Sequence, residues 1–214
     1  MALKKDNSNL DHKKQHLLRY WKKSRMITSD SVLKAFLAVP REHFVDPSFR
    51  NKSYADHPLP ICCNQTISQP TTVMLMLQLL KVLPGQRVLE IGTGSGYNAA
   101  LLSELTGKVV TIERHMQLVK FAQDNLTKAG YDDVIVLKGN GKKGYAPHAP
   151  YDRIMVTAAA QKVPQHLKDQ LSIGGLLVAP IGETYGCEML IFEKISLNNF
   201  KICKNGLFSF VPLV

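Results

Sequence analysis

The spacing of apolar residues changes character near residue 86. Before it, helical spacing dominates: "DSVLKAFLAV" (30–39) reads as a capped amphipathic helix that stops ahead of Pro40, and "TTVMLMLQLLKVL", opened by Pro70, is apolar on nearly every side and predicts a deeply buried helix. In the basic stretch 13–25 (KKQHLLRYWKKSR), Leu17, Leu18, Tyr20 and Trp21 are expected on one packed helical face and the lysines in solvent. Residues 40–70 lose any period. They are rich in proline, asparagine and polar residues and long for a connection, which marks them as a candidate lid.

Beyond residue 86 short apolar runs alternate with helical segments. The pattern predicts strand 87–91, helix 95–105, strand 108–113, helix 115–129, strands 134–138 and 153–158, helix 164–171 and strand 176–181. Such alternation means an α/β fold with a doubly wound, mostly parallel sheet. The tail, "CEMLIFEKIS" and "GLFSFVPLV", reads as two strands without a helix between them, an antiparallel C-terminal edge. The expected organisation is one domain: N-terminal helices and lid over 1–82, an α/β core over 83–182, and C-terminal strands over 183–214.

Composition narrows the class only slightly. With 45% hydrophobic and 21% charged residues over 214 positions the chain reads as an ordinary globular protein, and no apolar run approaches the ~20 residues of a membrane span. The N-terminus lacks the apolar centre of a secretory signal, so a cytoplasmic location is expected, with a monomer favoured. Cys62, Cys63, Cys187 and Cys203 show no metal-finger spacing and are read as reduced thiols, with no metal expected. Lys and Arg exceed Asp and Glu by 27 to 17, giving +10 and raising the odds of an acidic partner without choosing one.

The chemistry concentrates in "VLEIGTGSGYNAALL" (88–102). Gly92, Gly94 and Gly96 follow the first strand of the alternating region, where an open parallel sheet presents its carboxyl ends to a ligand. A dinucleotide fingerprint needs its third glycine at position 97, which is Tyr97. Glu90, just ahead of the loop, opposes a pyrophosphate and suits a cation. The pattern E-x-G-x-G-x-G is the one associated with S-adenosylmethionine, a cofactor without phosphate. Glu113 closes the second strand, placed to accept from ribose hydroxyls, and Gly139-Asn140-Gly141 forms a further turn at the same sheet edge, suited to an adenine contact from Asn140.

With these motifs in view, the chain resembles the protein-L-isoaspartate (D-aspartate) O-methyltransferase family. The resemblance rests on "AVPREHFVDP" (38–47), "QTISQP" (65–70), the glycine loop, "VVTIERH", "APYDRIMVTAAAQKVPQHLKDQL", "GGLLVAPIGE" and the terminal "FVPLV". It implies a class I S-adenosylmethionine-dependent methyltransferase fold and methylation of the free α-carboxylate of L-isoaspartyl residues, with D-aspartyl residues as a further substrate, in damaged proteins and peptides. The ester then closes to a succinimide. It implies Ser68 as the active-site residue; Thr66, Ile67, Ser68, Glu90, Gly92, Thr93, Gly94, Gly96, Glu113, Arg114, Gly139 and Asn140 at the cofactor; and Ala158, Ala159 and Ala160 on the substrate side. Where the family carries a glycine-rich turn before QTIS and a G-D-G turn, this chain has Cys62-Cys63-Asn64 and Gly139-Asn140-Gly141, and Ser209 stands where an arginine is common.

Two other readings follow from particular features. The basic charge prompts a nucleic-acid methyltransferase, but "VTAAAQ" after the fourth strand lacks the motifs that hold a flipped base. The departures at 62–64 and 140 prompt a cofactor-binding protein without turnover.

Overall fold

The computed structural model describes residues 2–213, with side chains for 8–184 and 186–213. Helices α1 (Ala2–Ser24) and α2 (Asp30–Ala38) lead to a hairpin of β1 (Leu59–Ile61) and β2 (Gln65–Ile67), and α3 (Pro70–Leu80) follows directly. The core alternates β3 (Val88–Ile91), α4 (Tyr97–Thr106), β4 (Val109–Glu113), α5 (Met116–Ala129), β5 (Ile135–Lys138), β6 (Tyr151–Val156), α6 (Gln165–Asp169) and β7 (Leu171–Ile181). Strands β8 (Tyr185–Lys194) and β9 (Phe200–Ser209) complete it. The sheet order is β5-β4-β3-β6-β7-β8-β9, parallel through β7 and antiparallel thereafter.

Both faces of the sheet are covered at its centre, over β3, β4 and β6, which is why those strands read as continuous apolar runs. Val88, Val109, Met155 and Val178 join the core built by α1 to α4; Leu89, Ile91, Ile112, Ile154 and Leu177 join a second core with Leu167 of α6. Successive residues point to opposite faces, so one register carries both sets. Trp21 of α1 ties the helical layer together: its ring meets Phe36 of α2 edge-on at 4.7 Å, and its Nε1 donates to Thr71 Oγ1 of α3 at 2.8 Å.

Several expectations change. Tyr20 is 47% exposed, because Leu10, Lys14, Leu17, Leu18 and Trp21 already fill the packed face of α1 at helical spacing. Within the segment 40–70, Phe44, Val45, Tyr54 and Leu59 are buried, so 40–57 is a packed connection, and the functional cleft is reached by Pro58, by Gln65 to Ile67 of the β1–β2 hairpin, and by Ser68 and Gln69 after it. The hairpin's three-residue turn, Cys62 to Asn64 between the paired Ile61 and Gln65, places Cys63 and Asn64 at φ of 60° and 54°, a left-handed geometry that glycine usually supplies. Strand β7 begins at Leu171, shortening the preceding helix, and β9 begins at Phe200, six residues before the predicted start. All four cysteines are unpaired.

Candidate active site

From β3 the chain winds to β4 on one side, while β6 returns on the other, so the loops after these strands open a crevice at a topological switch point. There lies a cleft of about 830 Å³. Its walls include Gln65 to Ser68 of the hairpin and the turn after it, the first turn of α3, the loop after β3, Glu113 and Arg114 after β4, Thr157 and Ala158 after β6, and residues 207–213 of the C-terminal segment.

The three loop glycines serve different ends. A Cβ on Gly92 (φ +96°) would stand 2.4 Å from Thr157 Oγ1, whose hydroxyl donates to the Gly92 carbonyl at 2.8 Å. A Cβ on Gly96 (φ +87°) would meet Leu126 at 3.2 Å and the Ala122 carbonyl at 3.3 Å, so this glycine lets α4 start against α5. Gly94 (φ +55°) has only Ile61 near it, at 3.8 Å, and presents bare main chain to the cleft beneath the hairpin. Of the three, Gly92 and Gly94 line the cleft and Gly96 does not.

Two carboxylates frame the loop. Glu113 Oε2 accepts from Gly94 N at 3.0 Å, while its Oε1 accepts from Arg114 N and His115 N at 2.7 and 3.0 Å, which fixes the strand-end acid in the cleft. Glu90 is fully buried, its oxygens accepting from Thr111 Oγ1 at 2.6 Å and Asn98 Nδ2 at 2.7 Å. Desolvation outweighs those hydrogen bonds and pushes its pKa up to about 7. Glu90 therefore sits at the cleft floor as part of a polar cluster rather than as an open anion.

Ser68 precedes α3 by two residues and shares the cleft with Thr66 and Ile67. Its carbonyl accepts from Nη2 of Arg41 at 2.7 Å; Arg41 Nε donates to the Ser53 carbonyl at 2.7 Å, and the guanidinium lies 4.8 Å from the Tyr97 ring centroid. Thr93 and Arg114 also line the cleft. Gly139 and Asn140 do not; Asn140 Oδ1 is engaged by Lys142 N at 3.0 Å, capping a short turn, whereas Gly141 lines the cleft, packed so tightly on Ile91 that a Cβ would stand 2.3 Å from it. Ala158 lines the cleft, while Ala159 and Ala160 line an adjoining hollow of about 730 Å³ that shares Thr184, Pro212 and Leu213 with it. Arg41, Tyr97 and Thr157 were given no functional role by the sequence reading; a buried arginine bonded to main-chain carbonyls leaves no motif that would have found it. His43 and His57 are exposed and stand outside the cleft.

A mostly parallel seven-stranded sheet with a glycine loop and an acidic strand end at its switch point is the class I methyltransferase fold. The model of the protein-L-isoaspartate(D-aspartate) O-methyltransferase family matches residues 12–214, and the chain belongs to that family. Similar curated proteins include the protein-L-isoaspartate O-methyltransferases of Thermococcus sibiricus, 47% identical over 98% of this chain and 96% of that one, and of Methanopyrus kandleri, 45% identical over 94% and 91%. Among solved structures, a Plasmodium falciparum protein described as a protein-L-isoaspartate O-methyltransferase in complex with S-adenosyl-L-homocysteine superposes with a TM-score of 0.81 at 25% identity, covering 93% of this chain and 97% of that one.

Proposed function

We propose that the cleft binds S-adenosyl-L-methionine and methylates the free α-carboxylate of L-isoaspartyl residues in damaged proteins and peptides, opening their repair through a succinimide. One observation carries this reading: the bare main chain at Gly94, the strand-end carboxylate of Glu113 and Ser68 share one cleft.

These residues fit the cofactor. Gly94 leaves room for a ligand against the loop, Glu113 offers acceptors suited to ribose hydroxyls, and the floor holds a carboxyl whose ionised form favours a cation. Thr66, Ile67, Glu90, Gly92, Thr93, Gly94, Glu113 and Arg114 would hold it, and the main chain around Gly141 would close the far side. When bound, the cofactor supplies a methyl group activated by a sulfonium centre.

The rest of the chemistry belongs to the protein. A substrate carboxylate with a pKa of roughly 3.5 is ionised at neutral pH, so no general base is required and His115, the histidine that lines the cleft, need not take a proton. What the cleft must do is hold one carboxylate oxygen in line, at about 3 to 3.5 Å from the reacting carbon, and position counts for most of the rate. Ser68 can donate its hydroxyl to the second oxygen and so aim the first. The hairpin keeps water from the joined charges. It is pinned there by Ile61 over Gly94 and by Cys63 Sγ donating to Gln117 Oε1 at 3.0 Å, in the first turn of α5. Ala158 and the C-terminal segment would form the substrate side. We place the protein in the cytoplasm; among the described residues no helix is long and apolar enough to cross a membrane.

The test is transfer of label from methyl-labelled cofactor to paired peptides that differ only in aspartate against isoaspartate. Label on the isoaspartyl peptide alone is expected. Label on RNA or DNA instead, or cofactor binding without label on any substrate, would refute the reading.

A further inference from the structure

Arg41 is one of the largest fully buried side chains in the protein, at 0% exposure, yet no carboxylate neutralises it by direct contact. Its Nε and Nη2 go to the carbonyls of Ser53 and Ser68, and its Nη1 has no partner. The hydroxyl of Tyr97, a cleft residue under the guanidinium, is its polar neighbour, and the two groups interact without forming a hydrogen bond of ordinary geometry. A chain could tie two loops together with a neutral donor and avoid the desolvation of a charge, so an unpaired buried cation calls for a reason beyond packing. The nearest acids are committed elsewhere: Glu42 accepts from Tyr54, and Asp56 accepts from the amide and hydroxyl of Thr71 at the start of α3.

We propose that Arg41 is a positioning residue for methyl transfer, clamping the Ser68 main chain so that its hydroxyl meets the substrate carboxylate, with its charge, which no carboxylate touches, lying behind that carboxylate as a fixed counter-ion. The geometry favours this arrangement. A planar guanidinium holds two carbonyls at fixed angles, which a lysine ammonium cannot reproduce. The clamp spans from the packed connection at Ser53 to the turn that leads into α3, so the Ser68 position is tied to the packed connection as well as to the hairpin it follows. Helix α3 starts at Pro70 and its first turn lines the cleft, adding the partial positive charge of its N-terminus on the same side.

The proposal rests on the assignment of Ser68, and a double-mutant cycle separates the two. Arg41→Met, Arg41→Lys, Ser68→Ala and the combination of Arg41→Met with Ser68→Ala are compared for kcat and KM on an isoaspartyl peptide, for cofactor Kd, and for folding by thermal melting. A positioning role predicts that folded Arg41→Met loses about 10- to 100-fold in kcat with cofactor Kd changed less than about threefold, that Arg41→Lys recovers part of it, and that the double variant loses less than the product of the two single losses. If Arg41→Met does not fold, the combination of Arg41→Lys with Ser68→Ala closes the same cycle. A folded arginine variant with unchanged kcat, or losses that add fully in the double variant, overturns the proposal. A harmless Ser68→Ala overturns the serine assignment first, and the arginine proposal with it.

Discussion

Glu90 is a carboxyl whose protonation the fold controls. Burial raises its pKa from 4.5 to about 7, so the native chain keeps a proton that the unfolded chain gives up. Its stabilising share is complete below pH 4.5 and is lost as pH climbs through about 7, a change worth about 3 kcal/mol. Glu90→Gln keeps the shape without the charge, its carbonyl accepting from Asn98 and its amide donating to Thr111 Oγ1 in place of the bond accepted there. Urea unfolding at pH 5 and pH 8 is expected to show a smaller drop in the variant than in the native chain; equal drops would mean that Glu90 ionises freely. A cationic cofactor should reverse the preference, since it favours the ionised form: its Kd is expected to tighten between pH 6 and 8 in the native protein and to stay level in Glu90→Gln. The role proposed for Ser68 is of the opposite kind, one tied to rate. Ser68→Ala is expected to cost about 100-fold in kcat, a loss typical of misplacing a reacting group, while cofactor Kd moves by less than about threefold. Steady-state kinetics beside calorimetry would separate the two effects.

At the scale of elements, the glycine loop divides between architecture and ligand. Gly96→Ala forces a Cβ against the α5 backbone at a positive φ and is expected to destabilise by about 2 kcal/mol without altering cofactor affinity in the folded fraction. Gly94→Ala meets nothing closer than Ile61 at 3.8 Å, so it should melt nearer the native temperature yet bind cofactor at least tenfold more weakly, as a methyl fills the approach to the loop. Melting curves and cofactor titrations on both variants would test the division, and an exchange of the two phenotypes would refute it. The same contrast shows what sequence could reveal. Strands β3, β4 and β6 were legible because burial on both faces writes an apolar run. Strand β9 was missed over its first half because residues 201–207 are exposed and carry no period. The β1–β2 hairpin was hidden by a turn built from Cys63 and Asn64 in place of glycine. The QTIS resemblance points to Ser68, but no motif points to the Arg41 clamp, since its partners are main-chain carbonyls that any residue carries.

Charge belongs to the whole molecule. An excess of +10 spread over the chain makes no single site, yet it sets up a field that acts before any contact forms. That field reaches roughly 10 Å at 0.1 M salt, beyond which ions screen it. A substrate approaching the cleft in dilute buffer therefore feels the surface lysines, whereas a carboxylate seated beside Ser68 as proposed would feel the buried Arg41 guanidinium, which mobile ions screen far less. The two regimes divide the kinetics. For an isoaspartyl peptide with additional acidic residues, kcat/KM is expected to fall several-fold between about 20 mM and 300 mM salt through KM alone, with kcat level. A neutral isoaspartyl peptide should show little change in either constant. If kcat for the acidic peptide falls with salt as steeply as kcat/KM does, the reacting charges are open to solvent, and a water-poor cleft closed by the hairpin is the wrong description of how this protein works.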